Sequence, residues 1–132
     1  MATGTVATTA RKFHHDLVHY VAVPIVYTTL SYTVGKLPAG AVIVDAGVIV
    51  TTAFAGGTPQ TLDIGVGADT DSLATALTIT SKGRKVADEL ATSADMYLAA
   101  DMDVNATLSA GATTSAGAGW VYVSYIIANR GA

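Results

Sequence analysis

The 132-residue chain contains no cysteine, and only 13% of its residues are charged. Without cysteine it forms neither disulfides nor thiolate metal sites, so packing and association must stabilise the fold. The charged share is about half of that usual in soluble domains. A monomer with so few surface charges tends to associate. The composition therefore predicts that sister subunits or a larger scaffold cover much of the surface.

Basic residues are few, and the formal net charge is −3. The seven Lys and Arg residues are scattered, apart from Arg11–Lys12 and the group from Lys82 to Lys85, which we interpret as solvated loops or arms. A nucleic-acid-binding surface requires clustered Lys and Arg on one face. We therefore predict no nucleic-acid partner.

Long apolar runs are also missing. The longest extends from Ala41 to Val50, is interrupted by Asp45, and is far too short to span a bilayer. The first residues, Met1 to Thr5, lack the basic and apolar blocks of a signal peptide. We therefore expect no membrane partner, and synthesis in the cytoplasm.

Residues with catalytic chemistry are present but do not form a familiar pattern. The segment Gly65–Gly67 lacks the third glycine of a dinucleotide fingerprint, and no serine stands in a G-x-S-x-G context. Glutamate occurs once, as Glu89, which argues against the paired carboxylates of most glycosidases. Because no nucleophile, base and orienting group can be combined, we predict no enzymatic activity and no cofactor.

The histidines resemble part of a zinc site. His15 and His19, next to His14 and Asp16, would share one face of a helix, but the segment Phe13–Val23 alternates like a strand. In a strand the two rings lie too far apart for one ion. We interpret them as exposed or interface residues and predict no metal site.

Two aspartate groups resemble parts of calcium sites. Asp101, Asp103 and Asn105 match the start of a calcium loop, but alanines stand where the loop requires glycine and glutamate. Asp69 and Asp71 favour a turn in which side chains bond to local backbone, with a structural cation as the alternative.

Apolar residues alternate with polar or small ones over most of the chain, and Val, Ile, Thr and Tyr dominate these runs. Alternation with period two is typical of strands. We therefore predict an all-β domain over residues 17–132, preceded by an extended arm at residues 1–16. The predicted strands are Leu17–Val23, Ile25–Val34, Ala41–Phe54, Thr61–Val66, Ala76–Thr80, Met96–Ala100, Val104–Ser109 and Trp120–Ala128.

Local signals predict how these strands connect. Pro24 marks an edge strand or a bend between sheets, because proline removes a ladder donor. The glycine-rich turn before Gln60 predicts that Ala41–Val66 is one long hairpin. Helical spacing occurs in Lys85–Ala100, where polar residues interrupt it, and the loop Ala110–Gly119 has no apolar anchor.

Two of the predicted strands are apolar on both faces. In Ala41–Phe54, Val42, Val44, Val48 and Val50 lie on one face, opposite Ile43 and Ile49. In Trp120–Ala128, Trp120 and Tyr122 oppose Val121 and Val123. A strand of this kind lies between a core and a second cover. In a chain this short we expect that cover to be a neighbouring subunit.

Several segments follow one another in an order that resembles small β-sandwich proteins encoded among phage structural genes. They are Leu37–Gly40, Val42–Val50, Thr52–Phe54, Thr61–Gly65, Asp69–Asp71 and the closing Gly117–Val123. Over roughly residues 17–128 the chain is similar in style to bacteriophage head decoration proteins, also called capsid cement proteins.

This resemblance implies an antiparallel, jelly-roll-like β-sandwich with a flexible N-terminal arm. It also implies a homotrimer on the outer surface of the virion capsid, made in the host cytoplasm, that bridges neighbouring major capsid subunits and stabilises the shell. Many weak, symmetric contacts would sum to a stable joint. Sister copies and the major capsid protein are the expected partners.

The arm and the aromatic residues are the candidate contacts. The arm carries Arg11, Lys12 and Phe13, and would become ordered on an acidic capsid surface, with simple disorder as the alternative. The candidate anchors near the C-terminus are Trp120, Tyr122 and Tyr125, with core packing as the alternative.

Two other functions fit parts of the sequence. A tail or fibre adsorption module that binds host carbohydrate or a receptor would place aromatic platforms beside acidic loops, because jelly rolls also serve as lectins. The available acidic and amide residues are those of the two aspartate groups, which no loop couples to an exposed tryptophan. A protein that forms the shell or tail tube itself is disfavoured by the short chain.

Overall fold

The structure is a computed structural model that describes residues 18–127. These residues form eight strands and no helix. The strands are β1 (His19–Val26), β2 (Ser31–Leu37), β3 (Ala41–Ala55), β4 (Gln60–Val66), β5 (Asp69–Thr78), β6 (Gly83–Val86), β7 (Met102–Ala110) and β8 (Ala116–Ile127). Accordingly, no helix that could cross a membrane occurs between residues 18 and 127.

The strands form two four-stranded sheets, which we call the first sheet (β1-β8-β3-β6) and the second sheet (β2-β7-β4-β5). The pairs β1 with β8, β2 with β7, β3 with β6 and β4 with β5 are all antiparallel. Each pair encloses the next along the chain, as if one long hairpin were folded across two sheets. This pairing order is that of the eight-stranded jelly roll. The predicted antiparallel β-sandwich is therefore confirmed.

The core lies between the sheets, where alternate residues of each strand point inward. In β8, Val121 and Val123 are completely buried. Trp120, which points to the opposite face of the strand, is half exposed. Burying one such aliphatic or aromatic side chain stabilises the fold by about 1.5–3 kcal/mol. The largest fully buried side chains are Phe54, Ile25, Leu37, Leu62, Ile64, Leu73, Ile79 and Leu108.

The predicted hairpin over Ala41–Val66 is wrong. β3 belongs to the first sheet and β4 to the second, so the segment between them crosses from one sheet to the other. The predicted turn is present, with Gly56 at a φ of 101°. It does not make a hairpin because β3 pairs with β6 and β8, while β4 pairs with β5 and β7.

Pro24 lies inside β1, and the predicted strand boundary there is wrong. β1 is the edge strand of the first sheet, so the predicted edge position is confirmed. An edge strand tolerates proline because one side of its backbone has no ladder partner. The chain instead turns after Val26, and β2 begins at Ser31.

The assignment of faces in β3 is also wrong at its start. A register shift between Ile43 and Asp45 interrupts the pairing of β3 with β8. Such a bulge moves the following residues to the other face. A strict alternation would place Val44 on the same face as the buried Val48. Instead Ile43 is buried and Val44 is exposed.

The region after β5 differs most from the prediction. The basic segment Gly83–Val86 forms β6, where a loop was predicted. The predicted strand Met96–Ala100 is irregular and forms one isolated bridge, between Tyr97 and Val42. The helical spacing in Lys85–Ala100 produces no helix, and β8 already begins at Ala116. The arm predicted at residues 1–16 lies outside the described residues.

Candidate protein-interaction face

The outer surface of the first sheet carries a band of exposed apolar and aromatic side chains. The strand register places Pro24 of β1 beside Trp120 of β8, and Trp120 beside Ile49 of β3. Arg84 of β6 follows Ile49 in the same row. Trp120 is 48% exposed and Ile49 is 44% exposed. We call this row, together with the neighbouring row described next, the aromatic face.

The neighbouring row runs from Ala22 through Tyr122 and Gly47 to Val86. A Cβ atom on Gly47 would lie 2.9 Å from the hydroxyl oxygen of Tyr122 and 2.4 Å from the backbone oxygen of Lys85. Glycine is therefore required at this position so that the tyrosine side chain can cross β3. Val86, at the end of the row, is 49% exposed.

Arg84 is held at the border of the aromatic face. Its Nε donates a hydrogen bond to the Tyr122 hydroxyl, and its guanidinium carbon lies 5.5 Å from the centroid of the Tyr122 ring. A terminal nitrogen of Arg84 also pairs with the Asp45 carboxylate. The hydrogen bond to Tyr122 and the charges of Tyr122 and Asp45 raise the pKa of Arg84. Arg84 is thus a fixed cation beside an apolar surface.

The outer surface of the second sheet is chemically different. Its exposed or half-exposed positions carry small polar side chains, including Ser31, Thr33, Asn105 and Thr107. They line an open groove of about 290 Å³. Lys36 and Asp103 pair across β2 and β7 at 3.2 Å. This surface is polar and readily hydrated, whereas the aromatic face exposes apolar side chains to water.

The structure brings two of the predicted contact residues together. Trp120 and Tyr122 both lie on the aromatic face, two positions apart on β8. Tyr125 lies on the opposite face of β8, where it packs against the core with its ring centroid 5.6 Å from that of His19. Arg11, Lys12 and Phe13 lie outside the described residues.

Sequence reasoning did not identify four further residues of the aromatic face. They are Pro24, Ile49, Arg84 and Val86, which three different strands supply. The sequence analysis places Ile49 on the second apolar face of its strand, which indicates that it faces away from the core but not which residues lie beside it. The other three lie in the same rows as Trp120 or Tyr122 only because of the order of strands in the first sheet, and that order is not visible in local patterns.

The D-x-D-x-N side chains are engaged within the protein. An oxygen of Asp101 accepts a hydrogen bond from the Ala39 N–H at 2.8 Å, and Asp103 pairs with Lys36. The amide of Asn105 donates to the Gly67 carbonyl at 3.1 Å. Within residues 18–127, no three His, Asp or Glu side chains are grouped closely enough to hold a metal ion.

Asp69 and Asp71 make the local bond between side chain and backbone that the sequence favours, but both lie at the start of β5, and the turn itself is at Gly67 and Ala68. The backbone N–H of Asp71 donates to a carboxylate oxygen of Asp69 at 3.4 Å. A hydrogen bond between the two side chains raises the pKa of Asp71, and desolvation and the charges of Asp69 and Asp63 raise it further. The pair is therefore a site of mutual repulsion when both groups are ionised.

We expect Asp71→Asn to raise the melting temperature slightly at neutral pH and not in acid. A folded-state pKa above the unfolded value means that this stability contribution is present at low pH and is lost as the pH rises through the folded pKa. Asparagine removes that loss. Thermal melts at several pH values measure the difference. An equal gain at all pH values, or the same profile for Asp95→Asn, would contradict this explanation.

Comparisons with known proteins give a likeness in fold only. No protein family matches the sequence, and no protein of curated function matches it. Three solved phage capsid structures contain a chain of similar fold. The capsid of Ralstonia phage GP4 matches with a TM-score of 0.65 and 20% identity, covering 86% of this chain and 84% of that chain.

The other two structures match to a similar degree. The cyanophage Pam1 capsid asymmetric unit gives a TM-score of 0.63 and 18% identity, covering 83% of this chain and 84% of that chain. The acidic stable capsid of Helicobacter pylori bacteriophage KHP30 gives a TM-score of 0.58 and 16% identity, covering 84% of this chain and 88% of that chain. The likeness extends over nearly the whole jelly roll.

Proposed function

We propose that this chain is a non-enzymatic structural protein of a phage virion, which binds the outer surface of the capsid and stabilises the shell. The observation that carries the proposal is the contrast between the two outer surfaces of the sandwich. One is solvated and polar, and the other exposes Trp120, Ile49 and Val86 in one continuous band. The fold likeness to chains in three phage capsid structures supports this setting.

The chemistry of the aromatic face suits a protein partner. Interface centres are enriched in Trp, Tyr and Arg, and a half-exposed tryptophan flanked by aliphatic side chains is the usual form of an anchor. Trp120 between Pro24 and Ile49 has this form. Arg84, already paired with Asp45, lies at the border, where it can meet an acidic or carbonyl group of the partner without being buried alone.

A protein of this size stabilises a shell through repetition. Each copy contributes one modest contact, and copies that bridge neighbouring major capsid subunits add buried area across every joint. The proposal includes sister copies as partners, with the homotrimer as the expected oligomer, and a location on the capsid surface. The candidate contacts Arg11, Lys12 and Phe13 belong to the same proposal, as a basic and apolar extension of the interface.

The experiment mixes the purified protein with phage heads that lack it. We expect saturable co-sedimentation with the heads and a higher temperature of head disruption, because the added contacts must be broken before the shell opens. Tailless heads of an unrelated phage are the control. Failure to bind heads, together with retention on host cells or glycans, would favour the adsorption module instead.

The structure gives little support to that adsorption module. Its expected signature is an aromatic platform beside an acidic loop. Trp120 lies on the outer surface of the first sheet, whereas Asp69 and Asp71 lie on the edge strand β5 of the second sheet. The two parts of the signature are therefore on different sheets.

A further inference from the structure

The edges of the two sheets differ in how they are protected. On the β6 side of the first sheet, the long strand β3 extends beyond the short β6. The segment that follows β6 covers this overhang, because the Ile43 N–H donates to the Met96 carbonyl at 2.7 Å and the Leu98 N–H donates to the Ala41 carbonyl at 2.9 Å. Very short edge strands and covering loops are standard protection against pairing with another chain.

Both edges of the second sheet are blocked by other means. On β5, the Thr75 N–H donates to a carboxylate oxygen of Asp88 at 3.0 Å, the Leu73 carbonyl accepts from the Glu89 N–H at 3.0 Å, and Ala76 has a φ of 53°. On β2, a register shift before Gly35 breaks the regular edge. Capped donors, a left-handed residue and a bulge all prevent a further strand from pairing.

The edge of β1 is closed at one end only. The Tyr32 hydroxyl accepts a hydrogen bond from the Val26 N–H at 2.9 Å and donates one to the Val26 carbonyl at 2.8 Å. Both groups of Val26 therefore point away from β8. Because backbone groups alternate along an antiparallel strand, those of Ala22 and Tyr20 also point away from β8, and Pro24 has no N–H.

No described residue outside β1 hydrogen-bonds to the outward backbone groups of Tyr20 and Ala22. The surrounding side chains are apolar and exposed, with Val18 at 60% and Tyr20 at 73% exposure. The segment from Val18 to Val26 contains no Asp, Glu, Lys or Arg. Within residues 18–127 this is an uncharged, apolar edge whose outward donors and acceptors have no partner, which natural sheets rarely leave open.

We propose that this open edge of β1 pairs with the same edge of a second copy of the chain, in an antiparallel arrangement about a two-fold axis. This pairwise contact is separate from the contact that would form the homotrimer of the proposed function. Two identical open edges satisfy each other's donors and acceptors in one contact, as isologous interfaces do. The absence of charged side chains removes the repulsion that two copies of net charge −3 would otherwise have at this point. Pro24 ends the ladder, so the contact is short.

The pairing would join the aromatic faces of two copies. Tyr20 and Ala22 point to the same outer surface as Trp120 and Tyr122, because they pair in register with Ser124 and Tyr122 of β8. A ladder between two β1 strands would therefore continue the first sheet across the axis. One copy's face would extend into the next, and the joined surface could lie across the border between two capsid subunits.

The test compares Ala22→Pro with the wild type by sedimentation velocity over a range of concentrations. The outward N–H of Ala22 makes no bond to β8, and Pro24 shows that β1 accepts proline at the equivalent alternate position. We expect the dissociation constant for self-association to rise about tenfold or more, because two hydrogen bonds are lost from each pair. Far-UV circular dichroism and the melting temperature check that the fold is retained.

Two controls separate edge pairing from other contacts. Ala22→Ser retains the N–H and is expected to associate like the wild type. Ile49→Lys places a charge on the aromatic face away from the edge and is also expected to associate normally. If Ala22→Pro does not fold, Tyr20→Lys tests the same edge by placing like charges across the axis.

Three results would overturn the proposal. The first is a wild-type protein that is no larger than Ala22→Pro at any concentration, and the second is association that Ile49→Lys removes and Ala22→Pro does not. The third is a wild-type monomer whose binding to phage heads is lost in Ala22→Pro, which would assign the edge to a strand of the capsid. Head binding measured in parallel keeps this test apart from that of the proposed function, which survives if Ala22→Pro still binds heads.

Discussion

Replacing Phe54 by alanine is expected to lower the free energy of unfolding by about 3–5 kcal/mol. Phe54 is 1% exposed and lies where β3 ends, packed between the two sheets. Removing its ring leaves a cavity between the two sheets, which a close-packed core fills only in part. For a domain of this length, the melting temperature is expected to fall on the order of 10–20 °C.

The neighbour of the ring explains why a second substitution is informative. Gly117 has a φ of 148°, and a Cβ atom at this position would lie 2.2 Å from Cδ2 of Phe54. Gly117→Ala therefore forces the ring to move and also strains the backbone. In a Phe54→Ala background the collision is relieved and only the strain remains.

A double-mutant cycle on these two positions is expected to be strongly non-additive. The cost of Gly117→Ala should be smaller by about 1–3 kcal/mol when Phe54 is already alanine. Equilibrium denaturation of the wild type, both single variants and the double variant measures this coupling. Gly83→Ala is the matched control, because Gly83 also has a positive φ but a Cβ atom there meets no atom within 4 Å. Additive costs would show that the ring does not determine the need for glycine.

The parts of the fold that depend on local pattern were predictable. In β8, Val121 and Val123 alternate with Trp120 and Tyr122 without interruption, and the structure buries the first pair and exposes the second to the outer surface. The pattern works here because β8 is a regular strand between two neighbours, β1 and β3, so that period-two geometry is maintained.

The parts that depend on long-range pairing were not predictable. The bulge before Asp45 reverses the faces of β3, and its cause is the register with β8, far away in the sequence. The glycine-rich turn after Ala55 predicts a change of direction and not a change of sheet. A buried polar side chain, Gln60, follows this turn and donates to the Gly57 carbonyl and the Thr114 hydroxyl, each at 2.7 Å. Its second partner comes from the β7–β8 loop, which no local pattern connects to β4.

The candidate site shows the same division. Trp120 and Tyr122 are candidate contacts from the sequence because aromatic residues commonly anchor interfaces, with core packing as the alternative. The sequence analysis groups Tyr125 with them, but Tyr125 lies on the same face of β8 as Val121 and Val123, which is the core side. The alternation alone indicates this. The position of Arg84 at the border of the aromatic face could be found only in the structure, because β6 is four residues long and its sequence resembles a charged loop.

Trp120→Lys is expected to weaken binding to phage heads by about 100-fold or more while leaving the fold intact. Truncating a central interface tryptophan costs at least about 2 kcal/mol, or roughly 30-fold, and a charge between Pro24 and Ile49 adds a desolvation cost. Because the side chain is half exposed and points away from the core, the unfolding free energy should change by less than about 1 kcal/mol. Trp120→Phe, which keeps an aromatic ring, should lose less affinity than Trp120→Ala.

The matched control for this prediction is Thr33→Lys, which adds the same charge to the exposed, polar outer surface of the second sheet. Co-sedimentation of each variant with heads that lack the protein gives the affinities, and the temperature of head disruption gives the effect on the shell. If the aromatic face is the contact, Trp120→Lys loses both binding and heat protection, whereas Thr33→Lys retains them. The reverse result would assign the contact to the second sheet, and an equal loss in both variants would show that net charge rather than the aromatic face determines binding.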